Sequence, residues 1–148
     1  MTDEGAKDPL AGGQYIGRVG GKEDMGRRKG RQSDLAERTT KFAEAVIDLA
    51  KAVPGRLIAR PIILQLVRSA TSIGANYCEA DGAQSDKDLT HKMSLCRNEA
   101  NETCYWLRLI SRVAPDQKPE ARRLWKEAHE LHLIFASIVH KLRERQDT

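Results

Sequence analysis

The sequence predicts an all-α protein built as an antiparallel, up-down-up-down bundle of four long helices. Apolar residues recur at spacings of three and four in four separate segments, and short connections containing proline or glycine divide these segments. No segment has the strict apolar and polar alternation that is typical of strands. The 148 residues suffice for one domain with a tail. The helices are expected at about residues 34–53, 58–82, 86–113 and 117–143.

The tail comprises residues 1–32, which hold eight of the eleven glycines and almost no apolar periodicity. Little burial is available there to offset the entropy of ordering the chain, so we expect disorder. The first helix then begins at Ser33 or Asp34, either of which can cap it, and it ends before Pro54.

The later helices carry clear start signals. Pro61 is tolerable only in the first turn of the second helix, and Ser85 with Asp88 approximates a capping box before the third. The third helix has the most regular pattern, because its expected buried positions step by four and three without a break from Leu89 to Ile110, and all of them except Thr103 are apolar. Asp116 is expected to cap the fourth helix.

Composition limits the function classes. No apolar run is long enough to span a membrane, and no secretory signal is visible, so we expect a cytoplasmic protein. Three cysteines, Cys78, Cys96 and Cys104, lack a Cys-x-x-Cys spacing and lie in predicted helices, which favours reduced, buried thiols.

The stretch from Arg68 to Glu79 is polar and small where a bundle helix would place leucines. A tight turn between the second and third helices brings Arg68 level with Ala100, between Glu99 and Glu102. We therefore predict a partly buried ion pair of Arg68 with Glu99 and Glu102. We also expect Asn76 and Ser72 to form hydrogen bonds across the same helix pair. The predicted polar seam comprises Arg68, Ser72, Asn76, Glu79, Glu99 and Glu102.

No catalytic motif, cofactor or metal is expected. A di-iron bundle needs two Glu-x-x-His motifs, and this chain has none. His129 and His132 lie three residues apart, but solvated or locally bonded histidines explain them better than a metal site does. The sequence thus favours a protein that is not an enzyme and has no small-molecule substrate.

Clustered basic residues are candidates for phosphate contacts. Charge runs are weak motifs, so a solvated tail is the alternative interpretation of the N-terminal cluster. The candidates for nucleic-acid binding are Arg27, Arg28, Lys29, Arg31, Arg56, Arg60, Arg122, Arg123, Lys126, Lys141, Arg143 and Arg145.

Three aromatic residues, Trp106, Trp125 and Tyr77, are candidates for a subunit interface. An aromatic with basic neighbours can also stack on a nucleobase, but a core edge or subunit contact is more usual in a bundle. Apolar positions on the second and fourth helices are wider than one stripe requires, which favours self-association.

Motifs on the second and third helices resemble those of a known family. The stretch RSATSIGAN at residues 68–76, Glu79, Lys92, EANET at residues 99–103 and Trp106-Leu107 are similar to four-helix-bundle proteins encoded by intervening sequences of bacterial 23S ribosomal RNA genes. The resemblance covers about residues 35–143 and excludes the tail. This chain differs from the family pattern at Ala80, where the family commonly has glycine.

This resemblance implies a ring-shaped homo-oligomer, typically a homopentamer, without enzymatic activity. Distant relatives include the accessory variability protein of diversity-generating retroelements, which binds a reverse transcriptase and nucleic acid. We therefore expect a non-catalytic scaffold for RNA, a ribonucleoprotein or a reverse transcriptase. The alternative is a protein-only interaction module without a nucleic-acid role, and a metal-binding or enzymatic bundle is the third hypothesis.

Overall fold

A computed structural model of the chain describes the backbone of residues 25–148 and the side chains of residues 34–148. Within that part there are four α-helices, one short 3₁₀ helix and no strand, which confirms the all-α four-helix fold. Assembly into a ring stays a prediction. The elements are α1 (Met25–Ala52), α2 (Ala59–Ala80), α3 (Asp86–Val113), a 3₁₀ helix (Pro115–Gln117) and α4 (Lys118–Gln146).

Helix α1 begins at Met25, so the prediction of disorder is wrong for residues 25–32. Between Gly26 and Ser33 the sequence is mainly arginine, lysine and glutamine, which are good helix formers. Their helix propensity extends α1, whereas the expectation of disorder rested on glycine content and missing apolar periodicity. Residues 1–24, the rest of the predicted tail, lie outside the described residues.

The predicted helix starts hold for α2 and α3. Pro61 is the third residue of α2, and the hydroxyl of Ser85 accepts a hydrogen bond from the backbone N–H of Asp88 at 3.1 Å. The prediction of Asp116 as the cap of α4 is wrong. It lies within the 3₁₀ helix, and Gln117 is the residue before α4, because that extra turn carries the chain directly into the helix.

Each helix packs against its neighbour in sequence, and α1 also packs against α4. The Arg38 guanidinium on α1 is ion-paired with two carboxylates of α4. Its Nε lies 2.6 Å from Glu127 Oε1, and its Nη2 lies 3.0 Å from Glu130 Oε1. The largest fully buried side chains come from all four helices and include Val46, Leu66, Ile73, Leu107, Leu124 and Phe135. These residues lie on the predicted apolar faces, so periodicity located the core.

The up-down-up-down order gives the bundle two unlike ends. At one end, here called the two-loop end, lie the α1–α2 connection and the α3–α4 connection. At the opposite end lie the α2–α3 connection, the start of α1 and the end of α4. Any residue near a helix terminus can therefore be assigned to one of these ends.

Candidate nucleic-acid interface

The ion pair predicted across α2 and α3 is present. Arg68 places Nη1 at 3.3 Å from Glu99 Oε1 and Nη2 at 2.7 Å from Glu102 Oε1. The hydrogen bond from Arg68 lowers the pKa of Glu102, and a second bond, from the indole N–H of Trp106 at 3.1 Å, acts in the same direction. Arg68 thus neutralises two carboxylates that lie one turn apart on α3.

Two other members of the predicted seam do not reach across it. Ser72 donates its hydroxyl hydrogen bond to the carbonyl of Arg68, and Asn76 donates its amide to the carbonyl of Ser72. Both acceptors lie four residues earlier in α2. The prediction was wrong because short polar side chains bond readily to the preceding turn of their own helix.

Two further polar contacts join α2 and α3, one of them through Glu79 of the predicted seam. Buried Thr103 donates to Ser69 with 2.9 Å between the two hydroxyl oxygens, and Lys92 pairs with Glu79 at 2.7 Å. Close packing by small residues is also present on the α1 side, where a methyl group added at Gly74 would lie 3.3 Å from Thr39 Oγ1. These contacts make the stretch a structural seam between helices.

The bundle separates the predicted phosphate-contact residues into two groups. Arg56, Arg60, Arg122, Arg123 and Lys126 lie toward the two-loop end and are exposed. The remaining candidates lie toward the opposite end: Lys141, Arg143 and Arg145 are exposed, and Arg27, Arg28, Lys29 and Arg31 belong to α1, with side chains outside the described set.

Arg123 is engaged by a carboxylate, unlike its neighbours. Its Nη2 lies 2.6 Å from Glu120 Oε1, and this pairing raises the pKa of Arg123 and lowers that of Glu120. Arg60 donates from Nε to the carbonyl of Gly55 at 3.1 Å, which ties it to the α1–α2 connection. Arg122 and Lys126 form no ion pair with the side chains of residues 34–148.

Between α3 and α4, near the two-loop end, lies a groove of about 730 Å³. Five of the ten residues that line it are cations, and none of the ten is acidic. None of these cations is ion-paired within the described side chains. We call this surface the basic groove. Its cations are Arg108, Arg112, Lys118, Arg122 and Lys126.

The cations form two rows because helical residues four apart lie on one face. On α3 the row is Arg108 and Arg112, and on α4 it is Lys118, Arg122 and Lys126. Each four-residue step is a rise of about 6 Å, so the longer row extends about 12 Å. The groove therefore presents positive charge along both of its walls.

The contacts between α3 and α4 set the register of these rows. The thiol of Cys104 lies 3.9 Å from the carbonyl oxygen of Trp125, and the carbonyl oxygen of Arg97 lies 3.1 Å from His132 Nδ1. Continuing this antiparallel register by two turns brings Arg112 level with the start of α4. Sequence reasoning missed Arg108, Arg112 and Lys118 as phosphate contacts, although their four-residue spacing to other cations was a usable signal.

The three candidate interface aromatics have different surroundings. Trp125 lines the basic groove and is 39% exposed, whereas Trp106 is half-buried and bonded to Glu102. Tyr77 is only 8% exposed, and its ring packs on Phe135 with the centroids 5.9 Å apart. Although it is mostly buried, Tyr77 also lines a groove at the opposite end of the bundle, so its assignment to a subunit interface stays a prediction.

The thiols are poor nucleophiles here. All three cysteines are free, and burial raises the pKa of Cys96 to about 12 and that of Cys104 to about 11. In the described part of the chain, no three His, Cys, Asp or Glu side chains converge as metal ligands. Nor is any helix in that part both long and apolar enough to cross a membrane.

The fold and this surface together define a small four-helix-bundle protein with a basic groove at one end. Comparison with known families agrees with that class: the family model described as 23S rRNA-intervening sequence protein matches residues 31–144. The chain belongs to this family, as its resemblance predicted.

A solved structure from Bacteroides thetaiotaomicron is similar to this chain. It is described as a protein with unknown function from the S23 ribosomal protein family, and it is 32% identical with a TM-score of 0.64. The match covers 70% of this chain and 96% of that chain. Curated proteins gave no match.

Proposed function

We propose that this chain is a non-catalytic helical scaffold of the cytoplasm that binds RNA through the basic groove, alone or within a ribonucleoprotein or reverse-transcriptase complex. The observation that carries the proposal is the concentration of five cations without a carboxylate between two facing helices. The family is described by its link with 23S rRNA, and this link gives the proposal further support.

The chemistry of the groove suits a phosphate backbone. Lysine and arginine neutralise phosphates and release condensed counterions, which makes the affinity strongly dependent on salt. Each of three arginines can also donate two parallel hydrogen bonds to one phosphate. If all five cations engage a single strand, the logarithm of the affinity falls with the logarithm of salt at a slope of about −3.5.

The test is fluorescence anisotropy with a labelled RNA hairpin that carries a single-stranded tail. From 50 to 200 mM salt we expect the affinity to fall about 100-fold. Reversing two groove charges with Arg112→Glu/Arg122→Glu removes two phosphate contacts and lowers the steepness of the slope by about 1.4. No binding at 50 mM salt would end the proposal.

A matched control has the same change in net charge at distant sites. Lys41→Glu/Lys87→Glu alters exposed residues of α1 and of the first turn of α3, outside the basic groove. We expect this variant to retain most of the affinity and the full salt slope. Equal losses in the two double variants would mean that net charge, and not the groove, governs binding.

The protein-interaction alternative rests on a separate surface at the opposite end. A second groove of about 650 Å³ there is lined mainly by apolar side chains of α1, α2, α3 and α4, including Leu133, which is 54% exposed. Its rim carries both signs of charge, with Asp34 and Glu130 beside Lys141 and Arg145, so a second copy of the chain is a complementary occupant.

Light scattering tests this alternative together with the proposed homopentamer. We expect Leu133→Glu to lower the mass of the assembly, because the substitution puts a charge into the apolar surface. Leu64→Glu is the control, since Leu64 is 70% exposed and lines neither groove. A wild-type mass equal to one chain would refute self-association, and an absorbance ratio at 260 and 280 nm typical of pure protein would show that no nucleic acid co-purifies.

A further inference from the structure

We infer that the basic groove accepts an unpaired stretch of nucleic acid and that one of its bases stacks on Trp125. This inference rests on the proposed function and adds the form of the ligand. It assigns Trp125 a role as a stacking platform between two rows of phosphate contacts. The shared chemistry is a single strand, of RNA or of DNA.

The position of Trp125 is the first support. Trp125 lies between Arg122 and Lys126 on α4, and all three line the basic groove. A large aromatic ring that is 39% exposed among unpaired cations can receive a base while its neighbours hold the adjoining phosphates. Trp106 differs, because its N–H is bonded to Glu102 outside this groove.

The second support is that stacking on a neighbouring histidine fixes the orientation of the Trp125 ring. Its ring lies parallel to that of His129, with centroids 5.1 Å apart and planes inclined by 11°. His129 in turn stacks on His132 at 6.3 Å, and His132 Nδ1 lies 3.1 Å from the carbonyl oxygen of Arg97 on α3. These stacked rings order the indole before a ligand binds, which lowers the entropy cost of stacking a base on it.

The third support is the size of the groove. Its longer cation row extends about 12 Å, which corresponds to about three or four nucleotides at the ~3.4 Å rise of a stacked strand. The walls are neighbouring helices with axes about 8–10 Å apart. The Trp125 ring can take a base only from an unpaired stretch, because in a duplex the faces of the bases are already stacked on one another.

The experiment uses the full chain with Trp125→Leu and three labelled probes: a twelve-nucleotide oligouridylate, the matching oligothymidylate and a twelve-base-pair duplex. Loss of one aromatic–base stack corresponds to an affinity about 5- to 150-fold lower. We expect that loss for the single strands, an unchanged salt slope, and almost no change for the duplex. Comparing the two single strands shows whether the groove prefers RNA or DNA.

Two variants serve as matched controls. Tyr105→Leu removes an aromatic ring of α3 that is 56% exposed and does not line the groove, so it should bind like the wild type. Trp125→Phe keeps a stacking face and should restore most of the lost affinity. In a Trp106→Phe chain, in which Trp125 is the remaining tryptophan, oligouridylate should quench the fluorescence, and an abasic strand of equal length should not.

The outcomes separate this inference from the proposed function. If Trp125→Leu binds oligouridylate like the wild type while Arg112→Glu/Arg122→Glu binds weakly, the groove binds phosphates and the stacking inference is wrong. If Trp125→Leu changes the mass of the assembly, the ring is a subunit contact and the inference also fails. If the wild type binds none of the probes, the proposed function itself fails.

Discussion

Replacing Arg68 by alanine should destabilise the bundle without weakening RNA binding. The direct ion pairs contribute at most about 1 kcal/mol, because the Arg68 side chain is 47% exposed. The larger loss comes from Glu99, whose side chain is only 19% exposed and whose Oε2 is buried without a hydrogen bond to any described residue. Without the guanidinium this carboxylate loses its main compensation, at a cost of about 1–3 kcal/mol.

The assay is urea unfolding followed by circular dichroism, at one fixed protein concentration because self-association contributes to apparent stability. Arg123→Ala is the matched control, because it breaks the ion pair with Glu120, which lies one turn earlier in α4. The side chains of Arg123 and Glu120 are 63% and 40% exposed. That variant should lose no more than about 0.5 kcal/mol. Equal losses for Arg68→Ala and Arg123→Ala would refute the reasoning.

A double-mutant cycle isolates the contribution of the buried carboxylate. In a Glu99→Gln chain the side chain is neutral, so the further change Arg68→Ala should cost clearly less than it does in the wild type. An equal cost in both backgrounds would mean that the Glu99 carboxylate does not cause the loss of stability in Arg68→Ala. Arg68 does not line the basic groove, so RNA affinity should stay close to that of the wild type. A normally folded and assembled variant that had lost only binding would contradict the structural role.

Three further predictions follow from burial and charge. Phe135→Ala should cost about 3–5 kcal/mol in unfolding free energy because Phe135 is fully buried, whereas Leu64→Ala, at a position that is 70% exposed and lines neither groove, should change it by less than about 0.5 kcal/mol. Iodoacetamide should alkylate partly exposed Cys78 before buried Cys96, as measured by peptide mass spectrometry; equal rates would argue against the packing around Cys96. Because the folded pKa of Glu102 is lowered from 4.5, its contribution is present above that pH and is lost as the pH falls through the folded value. The stability difference between wild type and Glu102→Gln should therefore shrink below about pH 4.5, and a difference independent of pH would contradict this.

Much of the fold could be predicted because its determinants are local. The regular repeat from Leu89 to Ile110 fixes which face of α3 is buried, and the Ser85 cap fixes where α3 begins. The ion pair of Arg68 was also predictable, since a short turn sets the approximate register of α2 against α3. Long side chains then tolerate an error of one or two residues in that register.

The basic groove was only partly predictable because it depends on how two helices face each other. Arg108 and Arg112 look like an ordinary solvated face of α3 until the α3–α4 connection brings them opposite Arg122. Charge density alone also grouped Arg123 with Arg122, although Arg123 is paired with a carboxylate. Spacing on one helix cannot reveal these distinctions, which come from the neighbouring helix and from competing ion pairs.

The unlike ends of the bundle have a practical consequence for studying and extending this protein. Helix α4 ends at the end opposite the α3–α4 connection, so chain added after Thr148 emerges far from the basic groove. An affinity tag, a fluorescent protein or a fused domain can therefore be attached at Thr148 without a direct path into the groove. Inserting residues into the Pro115–Gln117 turn would instead alter the mouth of the groove itself.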